Sequence, residues 1–342
     1  QRAVLIAAVL ALDPDVAALR EQRGEVQSDE GWVLSETATG RETRARIAKA
    51  IVTAMSEVPP LQPAQLTSRE ASWKLAFPLA VDNTRVRILG TIDADEATVI
   101  GRLVWGAEAL FRTALSSTGQ LPTGWTVFVV PDEAGKKGLI GAHPWFERFT
   151  AAELDVLWGA GVERDDLARW DPDPAARRDA IVRHAIGLYL RDAYALGPEQ
   201  AWAFEGIGLY LSRLLTGTRA SIFLSGKEAD DADVAGKVAD FADGERNWMS
   251  DAHALLGAEP APDLVSLLAK PLADLTVDDR VIAYALAAFC IEAKPRETPA
   301  LLRSLAAVAR GRGTTEEAIG KNLGLDPASL RRLVVQWLEE RR

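Results

Sequence analysis

The run Asp171-Pro172-Asp173-Pro174 divides the sequence into two kinds of periodicity. Upstream, β-like runs alternate with helical ones. WKLAFPLAVDNTRVRILGT reads as two strands around a turn at Asp82-Asn83, and Pro78 makes the first an edge or bulged strand. Residues 94–116 repeat apolar positions at helical spacing, and TGWTVFVVPD gives a strand over 124–130 that ends at Pro131. Downstream the pattern is helical nearly to the end: 175–195, 198–215, 278–293, 298–310 and 327–341. Asp326-Pro327 marks a clean helix start, because proline at the first helical position loses no hydrogen bond. These spacings predict an α+β fold, with a small mixed sheet from 73–91 and 124–130 packed against a largely helical C-terminal part. ERDDLARWDPDP, residues 163–174, reads as a poor strand, and 133–175 as short helices and loops.

Three divisions follow from composition. Residues 1–55 read as a small helical segment, broken at Asp13-Pro14 and stopped at Gly24, like the end of a longer helical array. Residues 56–70, proline-rich and polar, read as a linker. Residues 71–342 then form the main domain, sheet-bearing over 71–174 and helical over 175–342. The stretch from Glu228 to Gly257 is acidic and loosely helical.

Charge and motif content exclude several classes of activity. A formal net charge of -10 argues against a nucleic-acid partner, which needs a basic footprint. The apolar run near the N-terminus, about ten residues, is too short to span a bilayer. A lone cysteine, Cys290, rules out an internal disulfide and a cysteine zinc cluster, and its apolar surroundings make it core filler. No P-loop, strand-linked GxGxxG or GxSxG elbow is present, and Ser221 and Ser225 lack the context of a nucleophile. Of the three histidines, His143 in a turn and His253 beside acids read as surface residues. His184 lies instead in an apolar helical run, RHAIGLYLRDAY, and the next run, WAFEGIGLYLS, carries Glu205.

The segments HAIGL (184–188) and EGIGLY (205–210) resemble the paired helices of gluzincin-type, peptidase-MA-like metallopeptidases. In that family a His-Glu-x-x-His helix precedes one bearing Glu-Gly-x-x-x-Tyr. The strand-helix-strand ending in TVFVVPD, the late helix YALAAFCIE and the closing VVQWLEE resemble the same class. The resemblance implies a zincin-like fold and an extracytoplasmic or periplasmic bacterial protein. Residue by residue, His184 and Glu205 match metal ligands, with Gly187, Gly206 and Tyr210 in support. Ala185 stands where the general base belongs and Leu188 where the second histidine belongs; Asp192, two turns past His184, is a poor substitute. The expectation is a degenerate member with no bound metal, no cofactor and no catalytic residues. His184 and Glu205 would survive as a buried hydrogen-bonded pair, with Gly187 and Gly206 allowing close helix approach. Such a protein would bind or scaffold a protein or peptide through a retained cleft. The alternative is a hydrolase, metallopeptidase or other, with a non-standard site in the same cleft, built from Glu147, Asp165, Asp166 or Glu205. The sequence leaves the ligand and the oligomeric state open.

Overall fold

The computed structural model describes residues 16–218 and 246–341, apart from 30, 76, 152, 153, 155–158 and 164. The expected helix over the first 15 residues and the reading of Ser221 and Ser225 lie outside the described residues, as does most of the acidic stretch.

A short helix α1 (Ala17–Gln22) leads into a hairpin, β1 (Glu25–Ser28) and β2 (Gly31–Leu34), and then helix α2 (Ser35–Ser56). The expected linker contains β3 (Gln62–Pro63) and the start of α3 (Ser68–Ser72). Thr67 and Glu70 close a reciprocal capping box on α3. Arg87 then takes both oxygens of Glu70, at 2.8 and 2.7 Å, which fixes the segment to the sheet. Helix α2 packs on helices that follow the linker, and its Ile47 belongs to the main core.

The main sheet continues with β4 (Leu79–Asp82), β5 (Val86–Gly90) and, after helix α4 (Ala94–Leu115), β6 (Trp125–Val129). Helix α5 (Glu133–Ala142), β7 (Gly159–Val162) and β8 (Asp166–Arg169) complete it in the order β3-β4-β5-β6-β8-β7. Strands β5, β6 and β8 are parallel, and the remaining pairings are antiparallel. Pro78 precedes β4, which is covered on its outer side by β3, so β4 is not the sheet edge. Asp166–Arg169, expected to be a poor strand, is a buried parallel one. Its lack of β-branched residues hides it in the sequence, but its neighbours on both sides supply the pairing.

Both faces of the sheet are covered, which explains why β6 is buried at every position. Trp125, Val127 and Val129 face the large helical core, while Phe128 and Val130 face a second cluster with Leu139, Phe146 and Trp170. The helical layer follows Asp173, which caps α6 (Pro174–Tyr194), and includes α7 (Ala201–Thr216), α8 (Trp248–Leu256) and α9 (Leu264–Ala269). Helix α10 (Val277–Ala293) is buried all round except at Asp278 and is the axis of this layer. Helices α11 (Thr298–Val308), α12 (Thr315–Leu323) and α13 (Pro327–Glu339) close the chain. Cys290 lies inside α10, and burial pushes its thiol up to about 12, consistent with core filler. No helix among the described residues is long and apolar enough to cross a membrane.

Candidate functional site

A cleft of about 240 Å³ opens between the β7–β8 end of the sheet and helices α6 and α7. Helix α6 presents His184, Leu188 and Arg191 to it, and α7 presents Phe204 and Gly208. The spacing 184, 188, 191 is one stripe of an α-helix, which is why these three share a wall. Strand β7, at the end of the sheet order, forms the opposite rim with Gly159 and Gly161.

His184 is turned toward the sheet. Its Nε2 lies 2.7 Å from the Asp165 carbonyl, and its ring centroid is 5.3 Å from that of Trp125. A carbonyl only accepts, so Nε2 carries the proton and donates it. Burial, only partly offset by that hydrogen bond, pushes the imidazole down to about 4; Arg191 acts in the same direction. His184 is therefore neutral at physiological pH.

Glu205 is fully buried and is not the partner of His184. Its Oε2 accepts from Arg183 Nη2 at 2.5 Å, and its Oε1 lies 3.5 Å from Arg280 Nε. The expected His184–Glu205 pair is thus replaced by two separate arrangements. The cause is helical rotation. Arg183, one residue and about 100° away from His184 on α6, faces α7, while His184 faces β8.

Of the two glycines, one acts as expected and the other does not. A Cβ at Gly187 would meet Phe204 Cζ at 3.1 Å, so this glycine does serve the α6–α7 crossing. A Cβ at Gly206 would lie 2.2 Å from the Ala283 carbonyl oxygen, so its close approach is to α10. Tyr210 donates its hydroxyl to Glu292, deep in the helical layer. Ala185 is fully buried in the core, and Leu188 faces the cleft with no donor atom.

The residues do not fit the zinc ion that the resemblance suggests. His184 Nε2 is engaged with a carbonyl, Glu205 with two guanidinium groups, and Leu188 cannot ligate. Among the described residues no group of three or more His, Cys, Asp or Glu side chains is placed to hold a metal ion.

The carboxylates considered for a non-standard site do not line the cleft. Asp165 pairs with Arg191. Asp166 accepts from the Thr126 backbone N–H at 2.6 Å, tying β8 to β6, and burial raises its carboxyl. Glu147 is exposed on a 3-10 turn. His143, expected at the surface, is buried in an aromatic nest, 4.3 Å from Trp73 by ring centroid. Its Nδ1 accepts from the Trp145 N–H at 3.1 Å, an arrangement of the neutral ring that burial favours. His253 lies 3.6 Å from Glu339 across α8 and α13.

Sequence reasoning passed over Arg169, Arg183 and Arg191, all in the cleft wall. Arg191 was accessible from its position seven residues past His184, two turns along the same stripe. Arg169 was not, because its strand was not recognised. Among known proteins, the chain matches no family model, no curated protein and no solved structure.

Proposed function

We propose that this chain is a peptidase-like protein without hydrolytic chemistry, which binds or scaffolds a protein or peptide segment through the cleft beside His184. The observation that carries the reading is the state of Glu205. In a working gluzincin this carboxylate would serve the metal; here Arg183 and Arg280 already neutralise it. A guanidinium cannot polarise a carbonyl or activate water as a metal does. Ala185 adds no base, and Leu188 adds no ligand.

The architecture is consistent with a zincin-like arrangement, with a helix bearing His184 behind the sheet and Glu205 on the next helix. An antiparallel end strand, β7, lies at the cleft. Such a rim is suited to an extended segment that adds to the sheet through main-chain hydrogen bonds. An extracytoplasmic location belongs to the same proposal.

The reading is tested with a pool of quenched fluorogenic peptides, with and without added zinc, scored for capture and for cleavage. Capture without cleavage is expected, with far less than one zinc per chain after dialysis. Cleavage that disappears on His184→Gln or Glu205→Gln, in variants that still melt cooperatively, would overturn the reading in favour of a hydrolase.

A further inference from the structure

The charge of the cleft is at odds with the charge of the chain. The protein carries a formal net charge of -10, yet among the described residues the cleft wall holds Arg169, Arg183, Arg191 and His184 and no aspartate or glutamate. The acids that pair with two of these arginines do not line the cleft: buried Glu205 with Arg183, and half-exposed Asp165 with Arg191. With Arg183 committed to Glu205, what the cleft offers to a visitor is the guanidinium groups of Arg169 and Arg191.

Arg169 is the most telling. It projects from β8, and its side chain is only 10% exposed. Among the described residues its Nε has no hydrogen-bond partner, and the acid paired with it, Asp171, is 3.5 Å from Nη2, beyond good hydrogen-bond length. A charged group so placed is costly unless something completes its shell. Gly159 makes the placement possible, since a Cβ there would come within 2.6 Å of Arg169 Cδ and 2.7 Å of Nη1. The glycine lets the guanidinium lie across β7 into the cleft. Burial pushes it down only to about 10, so it stays charged at neutral pH.

Size and lining narrow the ligand. At about 240 Å³ the cleft is smaller than most small-molecule sites, which run to roughly 300–1,000 Å³. That suits one side chain or chain end more than a whole cofactor. Leu167, Leu188 and Phe204 supply apolar contact for methylene groups beside the arginines. A phosphate is less suited. Phosphate sites commonly use the bare N–H groups of a helix N-terminus, whereas this cleft meets α6 between Ala180 and Arg191, well inside a helix that begins at Pro174, and meets the turn into α7 at Gly197 and Pro198, of which the proline has no N–H to offer. A planar carboxylate needs only the guanidinium fork.

We infer that the cleft is a carboxylate-recognition site, which takes an acidic side chain or the terminal carboxylate of a bound peptide, with Arg169 as its main contact and Arg191 at the mouth. The inference rests on the reading that the cleft binds a peptide and adds the chemistry it selects.

The experiment is enrichment of random hexapeptides on the immobilised chain at low salt. One library is acetylated and amidated, and a second has free carboxyl ends. Enrichment of glutamate or aspartate in the first library assigns the site to side chains; preference for the second assigns it to chain ends. Arg169→Gln is expected to weaken the selected peptides about tenfold or more, the scale of one charge-assisted hydrogen bond, and Arg169→Lys to weaken them less. Gly161→Phe leaves every arginine in place and fills the cleft, since the space beside Gly161 is open; it is expected to abolish capture. Melting curves of each variant confirm folding. Enrichment of neutral peptides that is indifferent to Arg169 would overturn the carboxylate assignment and leave peptide binding standing. No enrichment over Gly161→Phe would remove both. Displacement of selected peptides by inorganic phosphate at concentrations where acetate has no effect would overturn the choice of carboxylate.

Discussion

Glu205 and Glu292 are both fully buried carboxylates, on the adjacent helices α7 and α10, and each is paired with two arginines. Their surroundings differ. The cations on Glu292 come from far ends of the chain: Arg44 on α2 and Arg341 just past α13, with the Tyr210 hydroxyl as a third donor. The side chains of Arg44 and Arg341 are 33% and 20% exposed. The cations on Glu205 come from α6 and α10 and are 5% and 1% exposed. Glu292 thus ties chain ends together with arginines that reach water. Glu205 sits behind the cleft with arginines that do not. A buried carboxylate is not in itself evidence of chemistry; the depth of its counter-charges separates a clasp from a sealed charge set.

The largest effect is expected at Glu205. Glu205→Ala leaves Arg183 and Arg280 buried without their carboxylate, and should cost about 3–5 kcal/mol in urea melts. Glu292→Ala should cost less, about 2–3 kcal/mol, because Arg44 and Arg341 can turn toward solvent. Equal losses would break the distinction drawn from exposure.

A smaller effect is expected from His184. Its folded pKa is depressed, so below about 6.5 the unfolded chain binds a proton that the folded chain refuses. Stability should therefore fall as pH drops from about 6.5 to about 4, with a contribution of about 1–3 kcal/mol from this residue. His184→Gln should flatten that part of the profile without removing it, since His143 is shifted in the same direction. An unchanged slope would mean that His184 titrates normally.

The smallest effect concerns coupling between residues. A double-mutant cycle on Arg183 and Glu205 should show an interaction above about 1 kcal/mol, whereas one on His184 and Glu205 should stay within about 0.5 kcal/mol of additivity. The reverse result would restore the pair that the sequence suggested.

The helices were legible because burial leaves a 3.6-residue trace. Residues 175–195, 278–293 and 327–341 were placed within two residues of α6, α10 and α13 at either end. Strands β5 and β6 were legible through Val, Ile and Phe. Strands β7 and β8 were not, since GAGV and DLAR carry little β-propensity and depend on pairing with neighbours. The capping box at Thr67-x-x-Glu70 was present in the sequence but hidden among prolines. At the site, the cleft-facing positions of His184 and Leu188 follow from helical spacing. The partner of Glu205 does not, because choosing Arg183 over His184 depends on how α6 is rotated about its axis, and that is set by packing.

Gly206 has a mechanical consequence. With the Ala283 carbonyl 2.2 Å from where its Cβ would stand, α7 is keyed into α10 at a point that tolerates neither sliding nor rolling. The helical jaw of the cleft is therefore an anvil. Widening that admits a guest then falls to the opposite jaw, where β7 pairs with β8 and the Trp145 indole donates to the Gly161 carbonyl at 2.8 Å.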